Sequence, residues 1–182
     1  MIRSASVVRR IGFLSLAAVV VSVAVGPTAA GAADWLGPSA VRASADGKHL
    51  FVACRDANQV LVVDAASGKV AGKIPVPAEP TAMALSPDGK ELYVTCAAPK
   101  STVAVIDTEK KSVTDTLPAG HMATGVAVTP DNSKLYVCNR FNDEVVVMDR
   151  ASKEEVAKIS VIREPHGAVI TPDGATVFVI NH

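Results

Sequence analysis

GVAVTPDNSKLYVCN, residues 125–139, holds two short apolar runs on either side of a Pro/Asp/Asn cluster. Val126 to Val128 reads as one strand, Pro130-Asp131-Asn132 as a tight turn, and Leu135 to Cys138 as the returning strand of a hairpin. The same phrase recurs upstream as VRASADGKHLFVAC (41–54) and AMALSPDGKELYVTC (82–96), and downstream as GAVITPDGATVFVIN (167–181). The rings Phe51, Tyr93, Tyr136 and Phe178 step by 42, 43 and 42 residues. A second strand pair follows each of the first three hairpins, where VLVVD, VAVID and VVVMD close on Asp64, Asp107 and Asp149. A repeat of that length with four strands in it implies a β-propeller blade, so the expected fold is all-β, built from blades of four antiparallel strands.

The chain has 182 residues with 18 basic and 18 acidic groups, enough length for one domain with a real core. The balance hides an asymmetry, because the first 33 residues carry three arginines and no acid, which leaves the rest at a net of −3. No concentrated basic face is evident, so no nucleic-acid partner is expected. Arg3, Arg9 and Arg10, the apolar run Ile11 to Val25, and the small residues Thr28 to Ala33 form the three parts of a secretory signal peptide over residues 1–33. The apolar run falls short of the ~20 residues of a comfortable span, so no membrane crossing is expected after cleavage. The protein is expected to be exported, to a periplasm, a cell surface or the medium.

Residues 34–182 contain no linker and read as one partial propeller domain. Blades are expected at about 38–79, 80–122 and 123–164, with a fourth begun at 165–182 and incomplete, giving roughly three and a half blades. Ser-Pro-Asp-Gly at 86–89 and Thr-Pro-Asp-Gly at 171–174 place Pro where a turn fixes φ, Asp where its carboxylate can bond backbone, and Gly where φ is positive. Asn132 takes the glycine's place in the third copy, and Asn also tolerates the left-handed region. Strands such as Val60-Leu61-Val62-Val63 and Val145-Val146-Val147-Met148 are apolar on both faces, which implies cover on both sides, as neighbouring blades supply.

PDGKELYVTC, PDNSKLYVCN and PDGATVFVIN, with V-x-V-[IM]-D after the first two, resemble the YVTN family of β-propeller repeats over nearly all of residues 38–182. Tyr136-Val137-Cys138-Asn139 differs by one residue from the family's name, while Cys54 and Cys96 stand where Asn139 and Asn181 keep the asparagine. The resemblance implies an exported or surface-exposed propeller, commonly of seven blades and in some members fused to cytochrome modules. Propellers close with four to eight blades. The chain is therefore expected to be a fragment, needing missing blades or self-association to close its ring.

Strand parity puts the loop after each second strand, and each link between blades, at one end of the ring. Arg55, Arg140, His166, His182 and Asn139 share that end and are the candidate ligand-binding residues, a cationic mouth for an anionic ligand or a partner loop. The competing reading is structural: the asparagine caps a loop and the arginines are solvated. Asp64, Asp107 and Asp149 end strands before turns and are expected to bond backbone rather than to catalyse. Three cysteines leave at least one unpaired, and Cys54 and Cys96, at equivalent points ~10 Å apart on neighbouring sheets, exceed disulfide reach. No C-x-x-C, H-E-x-x-H, G-x-S-x-G or phosphate-cradling glycine loop occurs, so no catalytic residue, metal or cofactor is expected. The function read from these residues is a binding or scaffold surface for a protein or cell-surface polymer. A lactonase-like or cytochrome-linked redox propeller, with its active part beyond His182, is the alternative.

Overall fold

The computed structural model describes residues 36–182, so the signal-peptide reading of residues 1–33 lies outside the described residues. Fourteen strands follow one another in chain order: β1 Pro38–Ala43, β2 His49–Cys54, β3 Gln59–Asp64, β4 Val70–Pro75, β5 Glu79–Leu85, β6 Glu91–Ala97 and β7 Thr102–Asp107 in the first half. The second half holds β8 Ser112–Pro118, β9 Ala123–Val128, β10 Lys134–Asn139, β11 Glu144–Asp149, β12 Glu155–Ser160, β13 Pro165–Ile170 and β14 Val177–Asn181. They make three four-stranded sheets and one two-stranded sheet, each a meander in chain order with antiparallel neighbours. The architecture is all-β and propeller-like, and the sheets amount to about three and a half blades.

The turn chemistry behaves as the sequence predicts. Gly47, Gly89 and Gly174 sit at φ 70°, 73° and 71°, and Asn132 replaces them at φ 59°. Asp46, Asp88 and Asp173 each accept a bond from the hydroxyl two residues before and the amide two residues after. Asp64, Asp107 and Asp149 close the other hairpins in the same manner, accepting from Ser67, from Glu109 and Lys110, and from Ala151 and Ser152.

Those bonds hold the turn carboxyls below the ordinary carboxylate range. For Asp131 the Thr129 hydroxyl, then the amide and hydroxyl of Ser133, bring the value down to about 2. A carboxyl with a lower pKa folded than unfolded contributes stability that is complete above its unfolded value of about 4 and fades as pH falls toward the folded value. Stability is therefore expected to drop between about pH 4 and pH 2, measured as the urea midpoint, and Asp131→Asn to flatten part of that drop. A midpoint unchanged across the window contradicts this account.

The core lies between the sheets. Each blade has a forward face toward the next blade and a rear face toward the previous one. Phe51, Ala53 and Ile74 of the first blade pack on Met83, Leu92 and Val94 of the second. Tyr93, Val105 and Leu117 of the second pack on Val126, Leu135 and Val137 of the third. This explains strands that are apolar on both sides. Tyr93 also joins a polar staple between the second and third blades: its hydroxyl lies 2.6 Å from Glu91 Oε2 and 2.9 Å from Asn132 Oδ1, and accepts from Arg150 Nε at 3.0 Å. Arg150 Nη2 also bonds Glu91 Oε1. Burial, then the Glu91 bond, pushes the Tyr93 phenol up to about 12.

The pattern changes at both ends of the described chain. Phe51 and Tyr93 are 2% and 0% exposed, whereas Phe178 at the same repeat position is 59% exposed. Ile74 and Leu117 are buried, but their counterpart Ile159 is 46% exposed. On the rear of the first blade, Val41 is exposed where its counterparts Met83 and Val126 are buried.

Candidate functional site

One irregularity recurs at the same place in every inner strand. In β1 the register steps from Pro38↔Cys54 to Ala40↔Ala53, leaving Ser39 as the extra residue of a bulge. The corresponding steps leave out Thr81 in β5, Thr124 in β9 and His166 in β13. A bulge re-aims a side chain without ending the strand. These four side chains thereby turn toward one cavity of about 240 Å³, lined by Ser39, Arg55, Thr81, Ala97, Met122, Thr124, Arg140 and His166.

The bulged hydroxyls also tie blade to blade. Ser39 Oγ donates to the Pro80 carbonyl at 2.6 Å, Thr81 Oγ1 to Ala123 at 2.7 Å, and Thr124 Oγ1 to Pro165 at 2.8 Å. Each acceptor belongs to the next blade, just before its own bulge, so the three bonds run as a chain along the inner wall. His166 stands at the fourth position with an imidazole instead of a hydroxyl.

Arg55 and Arg140 enter the cavity from the loops after β2 and β10. Arg55 Nε and Nη2 donate to Glu79 Oε2 at 2.8 and 2.5 Å, and Arg140 Nε and Nη2 to Glu164 Oε2 at 3.0 and 2.7 Å. The Arg140 guanidinium holds the Glu164 carboxyl below its ordinary value. The charge of the mouth is thus largely balanced, and the glutamates that balance it were not among the residues that the sequence reading singled out. Their spacing, 24 residues after each arginine, was the available signal.

Among the candidate residues, Arg55, Arg140 and His166 converge on the cavity. His182 reaches it through His166, whose ring it meets edge to face with centroids 4.6 Å apart. Asn139 does not line the cavity. It is 0% exposed, its Nδ2 lies 3.5 Å from Glu144 Oε1, and its Oδ1 has no hydrogen-bond partner among the described residues. Its side chain packs on Gly120, where a Cβ would come within 2.2 Å of Nδ2. Strand parity places the links holding Thr81 and Thr124 at this end, but the sequence does not single out the hydroxyls of Ser39, Thr81 and Thr124, because a bulge leaves no residue signature beyond an ordinary Ser or Thr.

The three thiols of Cys54, Cys96 and Cys138 are free and buried, and burial pushes the Cys138 thiol up to about 11. A neutral, enclosed thiol is a weak nucleophile. Among the described residues no group of three or more His, Cys, Asp or Glu side chains is placed to hold a metal ion, and no helix is long and apolar enough to cross a membrane. The arrangement can donate hydrogen bonds to a ligand and orient it.

A family profile described as YNCE-like beta-propeller matches residues 26–130. Among solved structures, the chain is similar to the Kuenenia stuttgartiensis Hydrazine Synthase, at 30% sequence identity and a TM-score of 0.76. That alignment covers 86% of this chain but only 46% of the solved chain, so this chain spans about half the length of that relative. No curated protein matches it.

Proposed function

The chain belongs to the YNCE-like beta-propeller family, and from that premise we propose that it is an exported propeller module, of the YVTN repeat kind, that binds a ligand or partner at its axial mouth. The observation that carries this is the bulge repeated at the same point of four inner strands, which turns Ser39, Thr81, Thr124 and His166 into one cavity beside Arg55 and Arg140. A bulge kept in register through a repeat serves side-chain direction, since it sacrifices ladder pairing each time. Export rests on the basic, apolar and small-residue order of residues 1–33. Further blades complete the ring in the whole protein, because the exposed forward face at Phe178 repeats a face that is covered at Phe51 and Tyr93.

The test is a thermal-shift screen of small molecules and surface polysaccharides against the full chain and its Arg55→Ala/Arg140→Ala variant. Both ion pairs are partly solvated, and such pairs contribute about 0–1 kcal/mol, so the variant is expected to unfold near the parent temperature. A ligand of the mouth stabilises the parent and loses its shift in the variant. Hits that shift both proteins equally place binding elsewhere and reject the reading.

The likeness to a hydrazine synthase chain at 30% identity favours a second reading, in which the propeller is one module of a larger enzyme. Its catalytic groups then lie outside residues 36–182, and the mouth serves assembly or delivery rather than bond making. Co-purification of the full chain with a redox protein, lost in the same double variant, distinguishes this from a free-standing binding module.

A further inference from the structure

The repeat that builds the mouth is broken at one junction, and the break coincides with the cavity. Arg55, Ala97 and Arg140 occupy one position in successive blades, and Glu79, His121 and Glu164 occupy another, 24 residues on. The first and third junctions carry the Arg–Glu pair. The second carries neither member. Ala97 ends at Cβ, and the His121 ring turns to the edge of Phe141, with centroids 5.3 Å apart and planes at 81°. Met122, held at φ 55° with its amide on the Ala98 carbonyl at 3.1 Å, lines the cavity beside Ala97. The floor between the two arginines is therefore apolar, in a mouth whose other walls are hydroxyls, guanidiniums and the His166 imidazole.

We propose that this interrupted repeat makes the mouth a site for a small monocarboxylate with an apolar body, an inference that rests on the reading of the mouth as the binding face. The body lies over Ala97 and Met122. The carboxylate meets the guanidinium Nη1 of Arg55 or Arg140, the group on each that makes no hydrogen bond among the described residues. Guanidinium–carboxylate bonds are charge-assisted and directional. The cavity that the described residues enclose, about 240 Å³, lies below the ~300 Å³ at which drug-sized sites begin and suits a small ligand on this side of the mouth. Glu79 and Glu164 sit against the same arginines, so the mouth has little net positive charge to offer a polyanion. Burial of hydrocarbon, at about 25 cal/mol per Å², instead favours a ligand that carries one charge and an apolar surface.

The experiment uses benzoate as the probe, titrated by calorimetry into the full chain. Ala97→Arg/His121→Glu rebuilds at the second junction the pair found at both neighbours, so it is expected to fold as the parent does while filling the cavity. Ala97→Leu fills the apolar floor without charge and keeps the test open should the double variant fail to fold. The expected result is that benzoate binds the parent, that either variant weakens it by about ten-fold or more, and that inorganic phosphate competes poorly. The inference is overturned if the parent does not bind benzoate, if a folded variant binds it equally well, or if phosphate displaces it as readily as a second carboxylate. A screening hit that depends on Arg55 and Arg140, in a protein indifferent to benzoate, overturns this inference alone and leaves the mouth as the binding face.

Discussion

Phe51→Ala is expected to destabilise the protein by about 3–5 kcal/mol, while Phe178→Ala, at the same position of the fourth repeat, is expected to cost about 1 kcal/mol or less. Both rings open the second strand of a blade and face forward. Phe51 packs against Met83, Leu92 and Val94 of the next sheet and is 2% exposed, so truncation leaves a cavity that β-sheet backbone cannot close. Phe178 is 59% exposed, so its truncation removes little that was buried. Urea unfolding of the two variants at a single pH reads the difference directly. Equal losses would mean that the forward face of the fourth blade is covered in solution, which would overturn its description as an exposed face.

Gly125→Val is expected to cost more than the 1–3 kcal/mol typical of overpacking, and Gly167→Ala to be nearly neutral. A Cβ at Gly125 would lie 2.9 Å from both the Gly167 Cα and the His166 carbonyl oxygen, and 3.3 Å from Cys138 Sγ. Two of those neighbours are backbone of the next blade, which cannot swing aside as a long side chain does. At Gly167 a Cβ meets nothing within 4 Å. The substitution also reaches the mouth, since forcing the third and fourth blades apart strains the Thr124–Pro165 bond and the placement of His166. A Gly125→Val protein is therefore expected to lose both stability and ligand response, checked by urea unfolding and by the benzoate titration. A variant as stable as the parent would show that the blades do not meet at this point.

The two contrasts separate what is written in the repeat from what is not. The hairpins at Asp46, Asp88, Asp131 and Asp173, the period set by Phe51, Tyr93, Tyr136 and Phe178, and the double-sided strands were all legible, because local turn geometry and side-chain period are properties of consecutive residues. The grouping of Arg55, Arg140 and His166 at one end followed from strand parity alone. Asn139 was legible as a member of that end but not as a buried side chain packed on Gly120. That depends on how closely two loops approach.

By itself, then, the amino-acid sequence determined that four-stranded sheets form, where they turn, and which end of each carries the polar loops. The fold around them decided the rest. Register slips at Ser39, Thr81 and Thr124 accompany hydroxyl bonds to the next blade, between residues some forty apart, and the slip at His166 repeats that backbone geometry with no such bond among the described residues. Whether an arginine stands free or rests on a glutamate, and whether identical repeat positions such as Leu117 and Ile159 are dry or wet, depends on the presence of a neighbouring sheet. A repeat writes the same residues each time, but burial and charge pairing belong to the contacts between repeats.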